Sequence, residues 1–128
     1  MQATGTFTVK LEPQSSTHAD SGLGRMGIDK QFSGDLVAHS LGEMLAYRST
    51  VDGSAGYVAM ERVTGTLHGR HGAFVLQHSG TMDRGASTLV VSVVPDSGSE
   101  ELAGLTGSLA IHIDVQGGHS YTFDYRLP

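Results

Sequence analysis

The sequence predicts an all-β protein, eight antiparallel strands closed into a barrel, in a single domain over residues 1–128. Three observations lead there. Apolar and polar residues alternate with period two along most of the chain, as half-buried strands require. The runs are separated by short segments carrying Gly, Asp or Ser. A glycine also recurs inside strands, where it marks the bends that closing a sheet demands. A two-sheet sandwich is the alternative architecture.

Strands are expected near 3–12, 23–33, 36–48, 55–68, 71–82, 87–95, 105–116 and 119–127. The first alternates Gly5, Phe7, Val9 and Leu11 with Thr4, Thr6, Thr8 and Lys10. In the second, Ile28, Lys30 and Phe32 share one phase. Between the third and fourth, Asp52-Gly53 suits a two-residue type I′ hairpin. Gly69-Arg70 suits a type II′ turn before the fifth, and Arg84-Gly85 a turn before the sixth. Ser97 with Glu100 resembles a capping box and supports at most one short helical turn near 99–103. Leu109, Ile111, Ile113 and Val115 mark the seventh strand, and Tyr121, Phe123, Tyr125 and Leu127 the eighth. Gly5, Gly65, Gly80 and Gly107, each flanked by Thr or Ser, recur at irregular spacing, so no solenoid repeat is implied.

Composition narrows the function. With no cysteine there is neither a disulfide framework nor a thiolate metal site. A formal net charge of −5 argues against nucleic-acid binding through a basic face. No apolar run is long enough for a membrane helix, and the start lacks the apolar run of a signal peptide, so a cytoplasmic address is expected. Gly22, Gly24 and Gly27 match GxGxxG, but a strand pattern follows where a helix would have to open, so no nucleotide cofactor is expected. The histidines lack the convergent spacing of a metal centre, and His68 and His71 have no acidic third ligand nearby in sequence. Ser79 directly follows His78 and points to the other face, and no GxSxG elbow is present.

Several segments carry a resemblance: Gly42–Leu45, Ser54–Leu67, Phe74–Met82, Val93–Gly98 and the opening Ala3–Phe7. They resemble a bacterial domain family of unknown function whose fold is like the allene oxide cyclase barrel. The likeness spans nearly the whole chain. It implies an eight-stranded antiparallel barrel of calycin-like shape and a homo-oligomer, a dimer or trimer. It carries over no reaction and no functional residues.

Turn lengths decide which residues face inward. Two-residue turns at Asp52-Gly53 and Gly69-Arg70 would place Glu43 opposite Arg62, Arg62 opposite Gln77, and Glu61 opposite His78. The side holding Glu61 and His78 also carries Met44, Tyr57, Val63, Phe74 and Leu76, and is the more apolar, so it is expected to face the lumen. A slip of one residue would exchange the faces. Glu61 and His78 are then an acid/base pair inside an apolar pocket shaped by Tyr57, Met44, Phe74 and Leu76. The bland counterpart is a Glu–His hydrogen bond that only fills the core. Glu43, Arg62 and Gln77 form a secondary polar cluster on the outer face, beside Leu45, Tyr47, Val58 and Met60, which suggest a contact between subunits. Three functions follow: an isomerase, cyclase or lyase acting on a small apolar molecule, a non-catalytic carrier or sensor, or a structural oligomer with a filled barrel.

Overall fold

The computed structural model describes residues 1–128 and is a closed antiparallel barrel in which each strand pairs with the next and the last returns to the first. The strands are β1 (Gln2–Gln14), β2 (Gly24–Gly34), β3 (Leu36–Arg48), β4 (Ala55–Leu67), β5 (Arg70–Asp83), β6 (Ala86–Val93), β7 (Thr106–Ile113) and β8 (His119–Arg126). Two 3-10 turns, Ala19–Ser21 and Glu100–Leu102, complete the secondary structure. The first was not expected. The second falls where the helical turn was, but without the capping box: Ser97 Oγ instead accepts the Val75 N–H at 3.0 Å.

Two hairpins depart from the expected turns. Asp52-Gly53 does not close a two-residue hairpin; it sits in a six-residue connection, 49–54, with Ser54 N donating to Val51 O. Only Gly53 has positive φ there, whereas a type I′ turn needs it at both central residues. The next turn is His68-Gly69, not Gly69-Arg70, and both residues have positive φ (47° and 79°), giving type I′ geometry in place of II′. Arg84-Gly85 is the two-residue turn expected, again with both φ positive. Each displaced turn moves the register by two residues. Because side chains alternate with period two, the faces survive.

Two bend glycines show why the sheet can close. A Cβ on Gly5 would lie 2.0 Å from the Ser33 carbonyl oxygen of the neighbouring strand. One on Gly80 would lie 2.6 Å from the Tyr57 ring, which occupies the space that the missing side chain leaves.

The two ends of the barrel differ. At the end holding the His68-Gly69 turn, Leu36, Leu67, Phe74 and Phe123 are buried, and Leu102 and Leu105 from the connection between β6 and β7 pack into the same core. Phe74 stacks on Phe123 with ring centroids 5.8 Å apart. The Tyr121 hydroxyl accepts the Leu36 N–H at 3.0 Å and donates to Ser33 O at 2.9 Å, pinning the turn between β2 and β3. That end is sealed. At the other end, the inward-facing Leu11, Met82 and Leu89 remain 46%, 43% and 40% exposed. The barrel is a cup, filled below and open above.

Candidate functional site

Four polar side chains are buried in the interior: Lys30, Ser40, Glu61 and His78. They come from β2, β3, β4 and β5, each in phase with apolar neighbours, so the barrel brings them together. Lys30 lies opposite Ser40, Ser40 opposite Val63, and Glu61 opposite Gly42. A Cβ on Gly42 would stand 2.1 Å from Met60 O and 2.7 Å from Glu61 Cα, so the missing side chain lets β3 and β4 approach closely at Glu61. His78 lies opposite Ala59 rather than Glu61, so Glu61 and His78 are diagonal neighbours on the inner face. The smallness of Ala59 lets the imidazole lean across to the carboxylate.

Glu61 is the centre of the cluster. Its Oε2 accepts from His78 Nε2 at 2.5 Å and from Lys30 Nζ at 2.8 Å, and its Oε1 accepts from Ser40 Oγ at 2.7 Å. Burial alone would push the carboxyl up. The hydrogen bond from His78, the charge and hydrogen bond of Lys30, and the Ser40 hydroxyl outweigh it and hold the pKa down to about 2. The Lys30 ammonium also sits 4.8 Å from the Phe7 ring centroid, a cation–π contact that offsets part of its desolvation. Glu61 is therefore an anion at neutral pH.

That charge state fixes one nitrogen of His78. A carboxylate only accepts, so Nε2 carries the hydrogen in this bond, and in the neutral tautomer the lone pair is on Nδ1. Nδ1 makes no hydrogen bond within the chain, and no fully buried side-chain polar atom lacks a partner, so Nδ1 is not fully enclosed, although His78 as a whole is only 4% exposed. The Tyr57 hydroxyl is in the same position, unpartnered and not fully enclosed. Its pKa is raised, first by burial and then by the Glu61 charge, so the phenol stays protonated.

Above the cluster, at the open end, is a cavity of about 560 Å³ whose lining includes Met44, Ala46, Tyr57, Met82 and Leu89. A second depression, about 940 Å³, lies between the Ser16–Ser21 segment and β3–β5. Its lining includes Glu43, Leu45, Met60 and Gln77 of the outer face together with Met44, Ala59 and His78, whereas His78 does not line the 560 Å³ cavity.

Of the residues singled out in the sequence, Glu61 and His78 meet, and Tyr57 and Met44 line the open cavity. Phe74 and Leu76 face inward but lie in the sealed half, at most 1% exposed, so they form its packing rather than a pocket wall. Glu43, Arg62 and Gln77 share the outer face without forming the expected cross-strand set. Glu43 lies opposite Met60 and pairs with Arg25 at 2.6 Å, while Arg62 lies opposite Leu41 and Val75. His68 and His71 each find a carboxylate, Asp35 at 3.5 Å and Glu100 at 3.4 Å, brought close by other turns. Sequence reasoning missed Lys30 and Ser40 as members of the buried cluster. The signal was phase: Lys30 stands between Ile28 and Phe32, and Ser40 continues Leu36 and Ala38.

Fold and site together define a closed antiparallel β-barrel with a polar cluster inside a half-open lumen. The chain belongs to the family described as "Protein of unknown function (DUF3224)", whose model matches residues 3–125. It is 49% identical to a solved structure from Shewanella oneidensis MR-1, titled as a protein with unknown function from the DUF3224 family. That likeness covers 100% of this chain and 97% of the other, with a TM-score of 0.95. No curated protein matches the chain.

Proposed function

We propose that this protein holds a small, mainly apolar molecule in the open half of its barrel, with the molecule's polar group turned toward His78. The observation that supports this best is the combination of half-exposed inward apolar residues, Leu11, Met82 and Leu89, with the unpartnered Tyr57 hydroxyl on the cavity wall and the unpartnered Nδ1 of His78 one inward row further down the barrel. Apolar surface left in water forgoes about 25 cal/mol per Å². A ligand that covers it recovers that energy and gives the imidazole a partner. Small-barrel interiors either fill with side chains or admit one small ligand; this lumen is filled below and leaves about 560 Å³ above. A thermal-shift series with medium-chain ketones, alcohols and fatty acids tests the reading, alongside mass spectrometry of small molecules released from the purified protein. A ligand bound at a hundredfold excess over its Kd adds about 2.7 kcal/mol and raises Tm by several degrees. Unchanged Tm across the series and an empty extract would contradict it.

The outer wall supports a second copy of the chain as partner. Leu41, Leu45 and Tyr47 of β3 and Val58 and Met60 of β4 are all at least 45% exposed on adjacent rows of one face. Contiguous apolar patches of this kind mark association surfaces.

A further inference from the structure

Resting on the lumen-binding reading and going beyond it, the geometry points to a proton-transfer site for an enolisable carbonyl compound, with His78 as the base and Tyr57 as the donor to the carbonyl oxygen. The two groups are complementary. His78 offers a lone pair at Nδ1, Tyr57 offers an O–H, and neither has a partner within the chain. Tyr57 lies opposite Gly80 and His78 opposite Ala59, so the two are diagonal neighbours on the inner face. Diagonal neighbours are roughly 7–8 Å apart, within reach of aromatic side chains. The Tyr57 ring is held in the gap left by Gly80, next to His78 along β5. Tyr57, Met44, Met82 and Leu89 line the open cavity, and His78 lies one inward row below Tyr57 and Gly80, so a substrate must reach past the Tyr57 ring to meet Nδ1.

The chemistry balances without a cofactor. Nδ1 takes a proton from the carbon next to the carbonyl. The C–H electron pair becomes a carbon–carbon double bond, and the carbonyl π pair moves to oxygen, where the Tyr57 O–H receives the developing charge. The imidazolium then returns its proton. Returned to the same carbon, it gives exchange; returned to the γ carbon of a β,γ-unsaturated ketone, it gives the conjugated isomer. Glu61 touches no substrate atom. It is a positioning residue that keeps hydrogen on Nε2 and stabilises the imidazolium, as the carboxylate does in a catalytic triad.

Cyclohex-3-enone in D2O, followed by NMR with the full chain, reads binding, deuterium uptake and isomerisation together. Wild type is expected to exchange and isomerise the ketone above the buffer rate. His78→Gln should lose about a hundredfold or more in that rate. Tyr57→Phe, which keeps the ring over Gly80, should lose a comparable factor while still binding. Should His78→Gln fail to fold, Tyr57→Phe decides alone. Glu61→Gln combined with Lys30→Met should lower kcat with KM little changed; a purely structural role would leave kcat of the folded variant intact. Binding without exchange, or exchange unaffected by Tyr57→Phe, overturns the proton-transfer assignment and leaves the lumen reading standing. Binding of alcohols but not the ketone does the same. No binding by any compound overturns both.

Discussion

Nε2 of His78 lies 2.5 Å from Oε2 of Glu61 although the two residues are not directly opposed; β4 and β5 set them diagonally, with Ala59 across from His78. The carboxylate is shared with Lys30, so the pair does not exchange one proton between groups of matched strength. Glu61 stays ionised, and the imidazole is the group that can accept a proton from a ligand. The burial of Lys30, Glu61 and His78 in one connected set also has consequences for stability.

Removing one partner strands the others. Glu61→Gln leaves the Lys30 ammonium buried without its anion, and breaking a buried ion pair in this way costs about 3–5 kcal/mol. Replacing both, Glu61→Gln with Lys30→Met, should recover much of that loss. Urea denaturation of the three proteins measures it; equal stability of wild type and Glu61→Gln would contradict the ion pair.

Acid should weaken the fold through the same residue. Glu61 titrates near 2 in the folded chain against an ordinary value of 4.5. A depressed carboxyl pKa contributes stability that is present above the unfolded value and is lost as pH falls through the folded one. The contribution is about 3 kcal/mol, lost between roughly pH 5 and 2. Melting curves over that range should fall more steeply for wild type than for the Glu61→Gln/Lys30→Met variant. Parallel curves would count against it.

Gly80→Ala should displace the Tyr57 ring, since the new methyl group would stand 2.6 Å from it. Overpacking of this kind costs about 1–3 kcal/mol, and the cavity loses its shape. Ligand-induced stabilisation should therefore fall along with Tm. A variant with undiminished ligand response would show that Tyr57 does not shape the pocket.

Lysine at Leu45 or Met60 places a charge on the apolar outer face without touching the lumen. Light scattering at micromolar concentration should show wild type associated and these variants monomeric, with the monomer's fold retained by circular dichroism. A monomeric wild type would contradict the interface.

Much of this was legible in the sequence, for a physical reason. Alternation places Glu61 with Ala59 and Val63, and two register shifts of two residues each left that face unchanged. The Asp52-Gly53 pair misled because it closes a turn inside a longer connection, and local turn chemistry does not report loop length. The Gly69 turn was displaced because His68 accepts positive φ, which only its tertiary setting reveals. Phe74 and Leu76 were assigned to a pocket because alternation gives the face, not the depth. Which end is sealed depends on Leu102 and Leu105 folding back from an irregular connection. Lys30 was read as part of a strand and not as a buried charge, since lysine is seldom buried unless paired; its phase with Ile28 and Phe32 held the information.

The central claim is that Glu61 holds hydrogen on Nε2 of His78 and leaves the lone pair of the neutral imidazole on Nδ1, available to a lumen ligand. Nitrogen-15 NMR of the histidine side chains near neutral pH measures this directly. The account predicts that in the neutral imidazole of His78 the hydrogen is on Nε2 and not on Nδ1, and that the Nδ1 resonance moves when a lumen ligand is added. A neutral His78 with hydrogen on Nδ1, or an Nδ1 signal indifferent to every bound ligand, would contradict it.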